Sequence, residues 1–268
     1  MLFRSVAYAF ETDSEQRIPH FLNEFKQRAD EWFKERTFVK EYYKFFQDFI
    51  KKENLKRAEW EDFQELGDHI HSFNTMHLAK TKALGRPNHS IEHYRNSFLY
   101  LVYSDDELET RIKNFEKNKD YKLRNFGEST LSEIFGNIFA DEYVFLNKRD
   151  EFGADFLKIK LDYKSRDSFA DKFLKFNEAI KPVIEQYEKI VGSRTDLPIN
   201  LEVDQFFSYL YETYSDPTSP PPPNGKNNWL YNPFQDWEEY KENSFMSLQI
   251  PDIGDLSKFI DKNDIQRE

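Results

Sequence analysis

Large apolar side chains recur every three or four residues through most of this 268-residue chain. That spacing matches the α-helix, which has 3.6 residues per turn, so the chain is predicted to be mainly α. Asp13 or Ser14 is the expected N-cap of the first helix. Gly85-Arg86-Pro87-Asn88 is expected to separate two helices. The helical stripes before residue 118 comprise Ile18 to Trp32, Phe38 to Phe49, Trp60 to Ile70, Ile91 to Val102 and Leu108 to Phe115.

The same helical spacing continues between residues 126 and 214, with one exception. Three stripes run from Leu131 to Ile138, from Phe169 to Val191 and from Val203 to Tyr211. We expect Ser129 to cap the first of them, and we expect the second to bend at Pro182 and end at Gly192. From residue 157 to 164 apolar and charged side chains alternate instead, which predicts a short strand.

A Pro-rich stretch divides the chain near its C-terminal end. The sequence predicts a helical domain at 1–125, a second helical block packed on it at 126–214, a linker at 215–226 and a partial segment at 227–268. The last segment carries two strand candidates and a helix candidate, an incomplete α/β unit. About 40 residues bury too little apolar surface to be stable alone. We therefore expect this chain to be the front of something larger, a truncated piece or one product of a split gene.

Composition excludes several classes of function. Aromatic residues make up 17% of the chain, enough for a thick helical core, while cysteine is absent, which excludes disulfides and thiolate metal sites. The sequence contains no G-x-x-x-x-G-K-[ST] and no G-x-G-x-x-G motif, so no nucleotide cofactor is predicted. A membrane-spanning or secreted protein is disfavoured and the cytoplasm is expected. The net charge of −11 means that any contact with nucleic acid needs a local basic face.

Two groups of side chains are candidates for nucleic-acid contact. Basic residues that could contact phosphates are Lys51, Lys52, Lys56, Arg57, Lys80, Lys82 and Arg86. Trp229, Tyr231 and Trp237 could belong to a pocket for a base. In each case a plainer interpretation exists: basic runs are often a solvated helix face, and aromatics at the start of a strand often pack in a core.

Two motifs suggest metal chemistry. His89, Glu92 and His93 spell H-x-x-E-H, the pattern of inverted zinc peptidases, whose histidines at i and i+4 share a helix face. The alternative is a helix N-terminus capped by Asn88. No catalytic residue and no metal site is predicted, because no third ligand stands out. Three further histidines, His69, His71 and His77, are expected to be hydrogen-bonded or exposed.

The second motif resembles the layout of metal-dependent nucleases. Asp141 or Asp150 followed by Asp162-Tyr163-Lys164 has the acid and D-x-K spacing in which carboxylates hold Mg²⁺. Such a site needs a mixed sheet, and only one convincing strand is predicted. A plain solvent-exposed face with alternating charges is the simpler interpretation.

Three stretches resemble the N-terminal specificity regions of McrB-type restriction NTPases, which recognise modified DNA. They are Phe126 to Ile134 with Phe145 to Asp150, Thr195 to Phe207, and the tail with Trp229-Leu230-Tyr231, Trp237-Glu238-Glu239-Tyr240 and Gly254 to Phe259. The tail is similar to the first half of an EVE/PUA-like module, a kind that often reads modified bases. The resemblance implies helical segments that precede a motor. It also implies two partners outside this chain, an NTPase motor and its nuclease.

These observations lead to one prediction and two rivals. We expect a non-catalytic DNA-recognition or adaptor region of a McrB-like restriction and anti-phage defence system. It would act on DNA, possibly modified DNA, together with a separate motor and nuclease. The first rival is a protein-interaction module that does not contact DNA. The second is a zinc-dependent hydrolase that uses His89-x-x-Glu92-His93.

Overall fold

The structure, a computed structural model, describes residues 13–74 and 77–215, which belong to one unit of the chain. A 3₁₀ turn at His71–Phe73 follows the fifth helix. The first eight helices are α1 (Ser14–Lys26), α2 (Ala29–Glu35), α3 (Phe38–Phe49), α4 (Lys52–Arg57), α5 (Trp60–Asp68), α6 (His77–Leu84), α7 (Ile91–Tyr103) and α8 (Leu108–Lys117).

Five more helices follow residue 126, and no strand occurs in residues 13–74 or 77–215. The prediction of a mainly α fold is confirmed. The five helices are α9 (Glu128–Ile138), α10 (Lys148–Phe156), α11 (Phe169–Ala179), α12 (Lys181–Ile190) and α13 (Ile199–Tyr214).

Helix α13 lies at the centre of this unit. Every residue from Asn200 to Leu210 is buried, so the helix is covered on all sides. Helix α10 packs against it so closely that a Cβ on Gly153 would lie 2.3 Å from Cδ1 of Phe207. Polar residues of α13 are buried together with the apolar ones. A central helix of this kind must satisfy its polar groups inside the protein.

The core is built largely from phenylalanine rings in edge-to-face contact. Ring centres are 5.5 Å apart for Phe98 and Phe115, 5.9 Å for Phe115 and Phe135, and 5.5 Å for Phe135 and Phe173. Such contacts bury large apolar areas and favour defined ring orientations. This series of rings joins helices on both sides of residue 125. The division into blocks at 1–125 and 126–214 stays a prediction.

Local sequence signals account for several helix ends. Asp13 caps α1 as expected, and its Oδ1 accepts a hydrogen bond from the Gln16 amide at 3.3 Å. The predicted stop at Gly192 is confirmed, because this residue has φ +72° just after α12 and its amide bonds to the Tyr187 carbonyl. Pro182 does not bend one long helix. It lies in the first turn of α12, after a break at Ile180, where proline is favoured. Gly127, not Ser129, is the N-cap of α9.

The strand predicted at residues 157–164 is wrong. Leu157 ends α10, and Lys158 adopts a left-handed conformation with φ 58° that interrupts an extended chain. The Ile159 amide then bonds back to the Ala154 carbonyl at 2.8 Å. The apolar side chains of this segment pack on the core. The alternation of apolar and charged residues therefore belongs to an irregular segment at the surface, whose apolar side chains face the core.

The linker and tail predictions fall outside the described residues. Residues 216–268 include most of the Pro-rich stretch and both strand candidates of the incomplete α/β segment. The base-pocket candidates Trp229, Tyr231 and Trp237 lie there as well.

Candidate nucleic-acid interface

The short helix α4 presents four of the seven candidate basic residues. Lys51 is its N-cap, and Lys52, Lys56 and Arg57 are all exposed on it. Leu55 is fully buried and anchors the helix in the core, while the basic residues on either side of it in sequence remain exposed.

The loop before α4 is fixed by polar contacts. Asn54 Nδ2 donates to the Asp48 carbonyl at 2.8 Å, and Lys51 Nζ pairs with Asp48 Oδ1 at 2.7 Å. This hydrogen bond raises the pKa of Lys51, which keeps the ammonium charged. Both members of the pair are exposed, so it contributes little to stability. A phosphate can therefore compete with Asp48 for Lys51 at small cost.

Tyr103, at the end of α7, lies beside the basic residues of α4. Its hydroxyl donates to the Ile50 carbonyl at 2.8 Å, which fixes the ring next to the start of α4. The ammonium group of Lys52 lies 5.3 Å from the ring centre, within cation–π range. The Tyr103 side chain remains 40% exposed. An exposed ring beside exposed cations is a common arrangement in surfaces that bind nucleic acid.

The remaining three basic candidates have different surroundings. Lys80 pairs with Asp68 at 2.5 Å, and its side chain is only 14% exposed. Arg86 lies 5.9 Å from the centre of the Trp60 ring in an open cleft that also contains Glu61, Glu65 and Asp68. Carboxylates in that cleft repel phosphate. Lys82 is exposed on α6. Lys80 and Arg86 are therefore less suited to phosphate than the residues of α4.

Two arginines that the sequence places among aromatics are engaged within the protein. Arg95 donates to the Ala58 carbonyl at 2.8 Å and to Glu59 Oε1 at 2.7 Å. The Arg124 guanidinium donates to the Asn88 carbonyl. Both side chains hold neighbouring segments together.

The H-x-x-E-H motif does not lie within one helix. The α7 N-cap is Ser90, whose Oγ accepts from the His93 amide at 3.2 Å, so His89 precedes the helix. Asn88, expected as the cap, is buried and donates to the carbonyls of Ala83 and Arg124. Asn88 and Ser90 are both good N-cap residues. The longer side chain of Asn88 donates to the buried carbonyls, so Ser90 caps the helix.

Both histidines of this motif are engaged by backbone groups. His89 Nε2 accepts from the Arg124 amide at 3.0 Å, and His93 Nε2 lies 3.1 Å from the Lys122 carbonyl. Burial, with His93 and Arg124 nearby, lowers the pKa of His89 to about 4. Within the described ranges, no group of three or more His, Cys, Asp or Glu side chains is placed to hold a metal ion.

The remaining histidines have ordinary surroundings. His69 stacks on Phe45 with ring centres 3.7 Å apart, and its Nδ1 lies 2.9 Å from the Glu65 carbonyl. His77 is exposed, and one face of the His71 ring is covered by Phe38. Burial and the nearby Arg149 lower the pKa of His71.

The nuclease-like layout is not assembled. Asp162 and Lys164 are exposed on the irregular segment, and Asp141 is exposed as well. Asp150 is fully buried and belongs to α10, where its Oδ2 accepts from the Asn147 amide at 2.8 Å. A capping box, not a metal ligand set, explains the position of Asp150.

Sequence reasoning missed the buried carboxylates. Glu202 and Asp204 lie on α13 and Asp150 on α10. The partly buried Glu133 on α9 accepts from the amides of His71 and Ser72. One signal was available for α13: its acidic residues interrupt a helix that is otherwise apolar on nearly every side. Such positions must be buried with partners.

Comparison with known proteins adds nothing to this description. No protein-family model, no curated protein and no solved structure matches the chain. Among the helices of residues 13–74 and 77–215, none is both long and apolar enough to cross a membrane.

Proposed function

We propose that this chain is a non-catalytic nucleic-acid-binding adaptor of a McrB-like restriction and anti-phage defence system in the cytoplasm. The observation that supports this proposal is the exposed basic helix α4, with Tyr103 beside it. The assignment to a defence system follows from the sequence resemblance. An NTPase motor and a nuclease on other polypeptides would then be its partners.

The dimensions of α4 suit a phosphate backbone. Lys52 and Arg57 are separated by five helical steps of about 1.5 Å, roughly 7.5 Å along the axis. Successive phosphates of one DNA strand are spaced by about 3.4 Å along the duplex axis. Measured along its axis, α4 therefore spans about two phosphate steps. Contacts of this type position a protein on DNA without reading sequence.

The acidic chain restricts where DNA can bind. A net charge of −11 repels phosphate at long range, so binding depends on the local cations. Lys51, Lys52, Lys56 and Arg57 supply four of these, in two adjacent pairs. Lys82 on α6 is a separate candidate for a phosphate contact. Recognition of a modified base is assigned to the tail, with Trp229, Tyr231 and Trp237 as the candidate side chains.

Binding to methylated and unmethylated duplexes of one sequence tests the proposal. The full chain is titrated at low salt, and fluorescence anisotropy of the labelled duplex is measured. We expect binding to both duplexes, and tighter binding to one of them if the tail reads the modification. Absence of binding to either duplex at low salt would contradict the nucleic-acid role.

A protein-interaction role is the second candidate, and one surface favours it. Phe38 is 40% exposed and stacks on His71 of the 3₁₀ turn, while Leu78 is 76% exposed on the adjoining helix α6. Exposed apolar side chains near one another are typical of docking sites. A purified complex with a protein partner that contains no DNA, and that is lost on Leu78→Asp, would favour this candidate.

A further inference from the structure

Asp150 and Asp204 lie three residues before Gly153 and Phe207, which pack together in the contact between α10 and α13. The two carboxyl groups are close enough for each to shift the pKa of the other. Asp150 is fully buried, and Asp204 is 4% exposed. The neighbouring Gln205 is also buried. Carboxylates are almost never buried without a cation or several donors. The donors around this pair therefore decide its charge.

Few hydrogen-bond donors reach Asp150 and Asp204, and those donors are uncharged. Asp150 Oδ2 accepts from the Asn147 amide at 2.8 Å, and Asp204 Oδ2 accepts from Gln205 Nε2 at 2.8 Å. Asp150 Oδ1 and Gln205 Oε1, both buried, have no hydrogen-bond partner among the described residues. One backbone amide and one side-chain amide cannot stabilise two negative charges in an apolar interior.

We propose that Asp150 and Asp204 form a proton-binding site, in which Asp150 Oδ1 keeps a proton at neutral pH and donates it to the Asp204 carboxylate. The bound proton gives Asp150 Oδ1 the partner that it lacks. It also reduces the charge of the pair from −2 to −1. The contact between α10 and α13 consequently depends on pH, because loss of the proton leaves two like charges in the interface.

The electrostatic surroundings place the proton on Asp150. Burial raises the pKa of both groups, and the Asp204 charge raises the pKa of Asp150 further. Arg149 lowers the pKa of both groups, but for Asp204 it is the largest influence in that direction and is joined by hydrogen bonds from Gln205 and Asp150. The negative charge therefore resides on Asp204 and the proton on Asp150.

Other titratable groups lie near Asp150 and Asp204, and their effects on the pH dependence must be distinguished from that of the pair. Glu151 and Tyr163 lie beside Asp150, and burial raises the pKa of the Tyr163 phenol so that it stays neutral. Arg149 also acts on His71 and on Glu133. Burial raises the pKa of Glu133 to about 7, so Glu133 titrates between pH 4 and 8, where the pair is to be tested. An experiment on the pair must therefore subtract the contribution of Glu133.

The sign of the pH effect follows from the raised pKa values. A carboxyl group whose pKa is raised by folding stabilises the protein fully below its unfolded pKa, and that stability is lost as pH rises through the folded pKa. The pair should thus weaken the fold above pH 4. An asparagine cannot lose a proton, and at position 150 it can donate to Asp204 as the protonated acid does.

Thermal unfolding of the full chain between pH 4 and 8 tests the proposal. The variants are Asp150→Asn, Asp204→Asn and the control Asp105→Asn, which changes an exposed residue. We expect Tm of Asp150→Asn minus Tm of wild type to be near zero at pH 4 and to reach about 3 °C or more at pH 8. Glu133 is present in both proteins, so its contribution cancels in this difference.

Asp150→Asn and Asp204→Asn should differ in how much they raise Tm. Asp204→Asn should give a smaller gain, because it removes the charge that Arg149 attracts. The control should show no difference at any pH. Infrared spectra at pH 7 should contain the C=O band of protonated carboxylic acids, to which Glu133 also contributes because its pKa is about 7. In the Glu133→Gln background the band should remain, and adding Asp150→Asn should remove it. A Tm difference that does not change with pH, or a Glu133→Gln spectrum without that band, would overturn the proposal.

Discussion

The buried carboxylate of Glu202 accepts a hydrogen bond from the Tyr187 hydroxyl at 3.0 Å. The same carboxylate accepts from the amides of Arg194 and Thr195 and from Thr195 Oγ1, at 2.7–3.0 Å. All of these donors are neutral, and Glu202 is fully buried. Glu202 therefore ties α12 and the following loop to the first turn of α13. Burial and the Glu202 charge both raise the pKa of Tyr187, so its hydroxyl stays a donor.

Replacement of Tyr187 by phenylalanine should destabilise the protein. Loss of a hydrogen bond to a charged group costs about 1.5–3 kcal/mol, here with no change in ring packing. Denaturant unfolding should give a lower midpoint with an unchanged m-value. The control is Tyr211→Phe, because among the described residues no hydrogen bond to the Tyr211 hydroxyl occurs. Equal midpoints for the two variants would contradict this role of Glu202.

Gly136 is required by the ring of Phe145. A Cβ on Gly136 would lie 1.6 Å from Cδ1 of Phe145, although alanine would otherwise favour helix α9. Gly136→Ala should therefore lower the free energy of unfolding by about 1–3 kcal/mol, as overpacking does. A Cβ on Gly127 would meet nothing within 4 Å. Gly127→Ala is the matched control, with an expected change of a few tenths of a kcal/mol. Similar midpoints for both variants would contradict the close packing of Gly136.

Glu133 should make stability depend on pH. Its carboxylate accepts from the His71 amide at 2.5 Å and from the Ser72 amide at 2.8 Å, yet burial raises its pKa to about 7. Its stabilising effect is therefore complete below pH 4.5 and decreases as pH rises through 7. Glu133→Gln cannot titrate, so Tm of this variant minus Tm of wild type should rise between pH 4.5 and 8.

The exposed Glu188 supplies the control for that measurement. Glu188→Gln should show a Tm difference that is small and independent of pH. The same flat result for Glu133→Gln would mean that Glu133 has an ordinary pKa in the folded protein. Differential scanning fluorimetry in matched buffers is sufficient for both variants.

Most of the helices were predictable from sequence because their burial is one-sided and periodic. Phe21 and Phe25, or Phe98 and Leu101, recur at helical spacing and are fully buried. Breaks at Gly85 to Asn88 and at Gly192 follow from backbone preferences of single residues. These signals are local, so they survive without knowledge of the tertiary fold.

The remaining features depend on partners distant in sequence. The alternation of apolar and charged residues from Leu157 to Lys164 is the pattern that a strand would also show. A strand forms only when a second segment pairs with it, and among the described residues no segment pairs with this one. Asp150 and Asp204 are 54 positions apart, and nothing local indicates that they meet. The position of Tyr103 beside Lys52 likewise depends on how α7 packs against α4.

The basic residues of α4 were visible in the sequence, but their relative exposure was not. Lys80 appears equivalent to Lys52 in sequence, yet it pairs with Asp68 and is mostly buried. Lys80 packs against Gly67, whereas Lys52 lies on a helix that Leu55 anchors in the core. These contacts distinguish the two lysines. The proposed interface therefore narrows to the basic residues of α4.

A variant that removes the positive charges of α4 also changes the net charge of the protein. Its control must therefore lose the same number of positive charges elsewhere on the surface. The test variant carries Lys51→Ala, Lys52→Ala, Lys56→Ala and Arg57→Ala. The control carries alanine at four other exposed basic positions, Lys160, Lys164, Arg166 and Lys189. Both variants lose four positive charges, so any difference between them reports the location of the interface.

The salt dependence of duplex binding by these three proteins tests the central claim most directly. Each phosphate contact contributes about −0.9 to the slope of log K against log[salt]. The account predicts that the α4 variant loses affinity at low salt and that its slope is shallower than the wild-type slope by roughly 2–4. The control should keep the wild-type slope. Equal slopes for the two variants, or no binding by wild type at low salt, would contradict a nucleic-acid interface on α4.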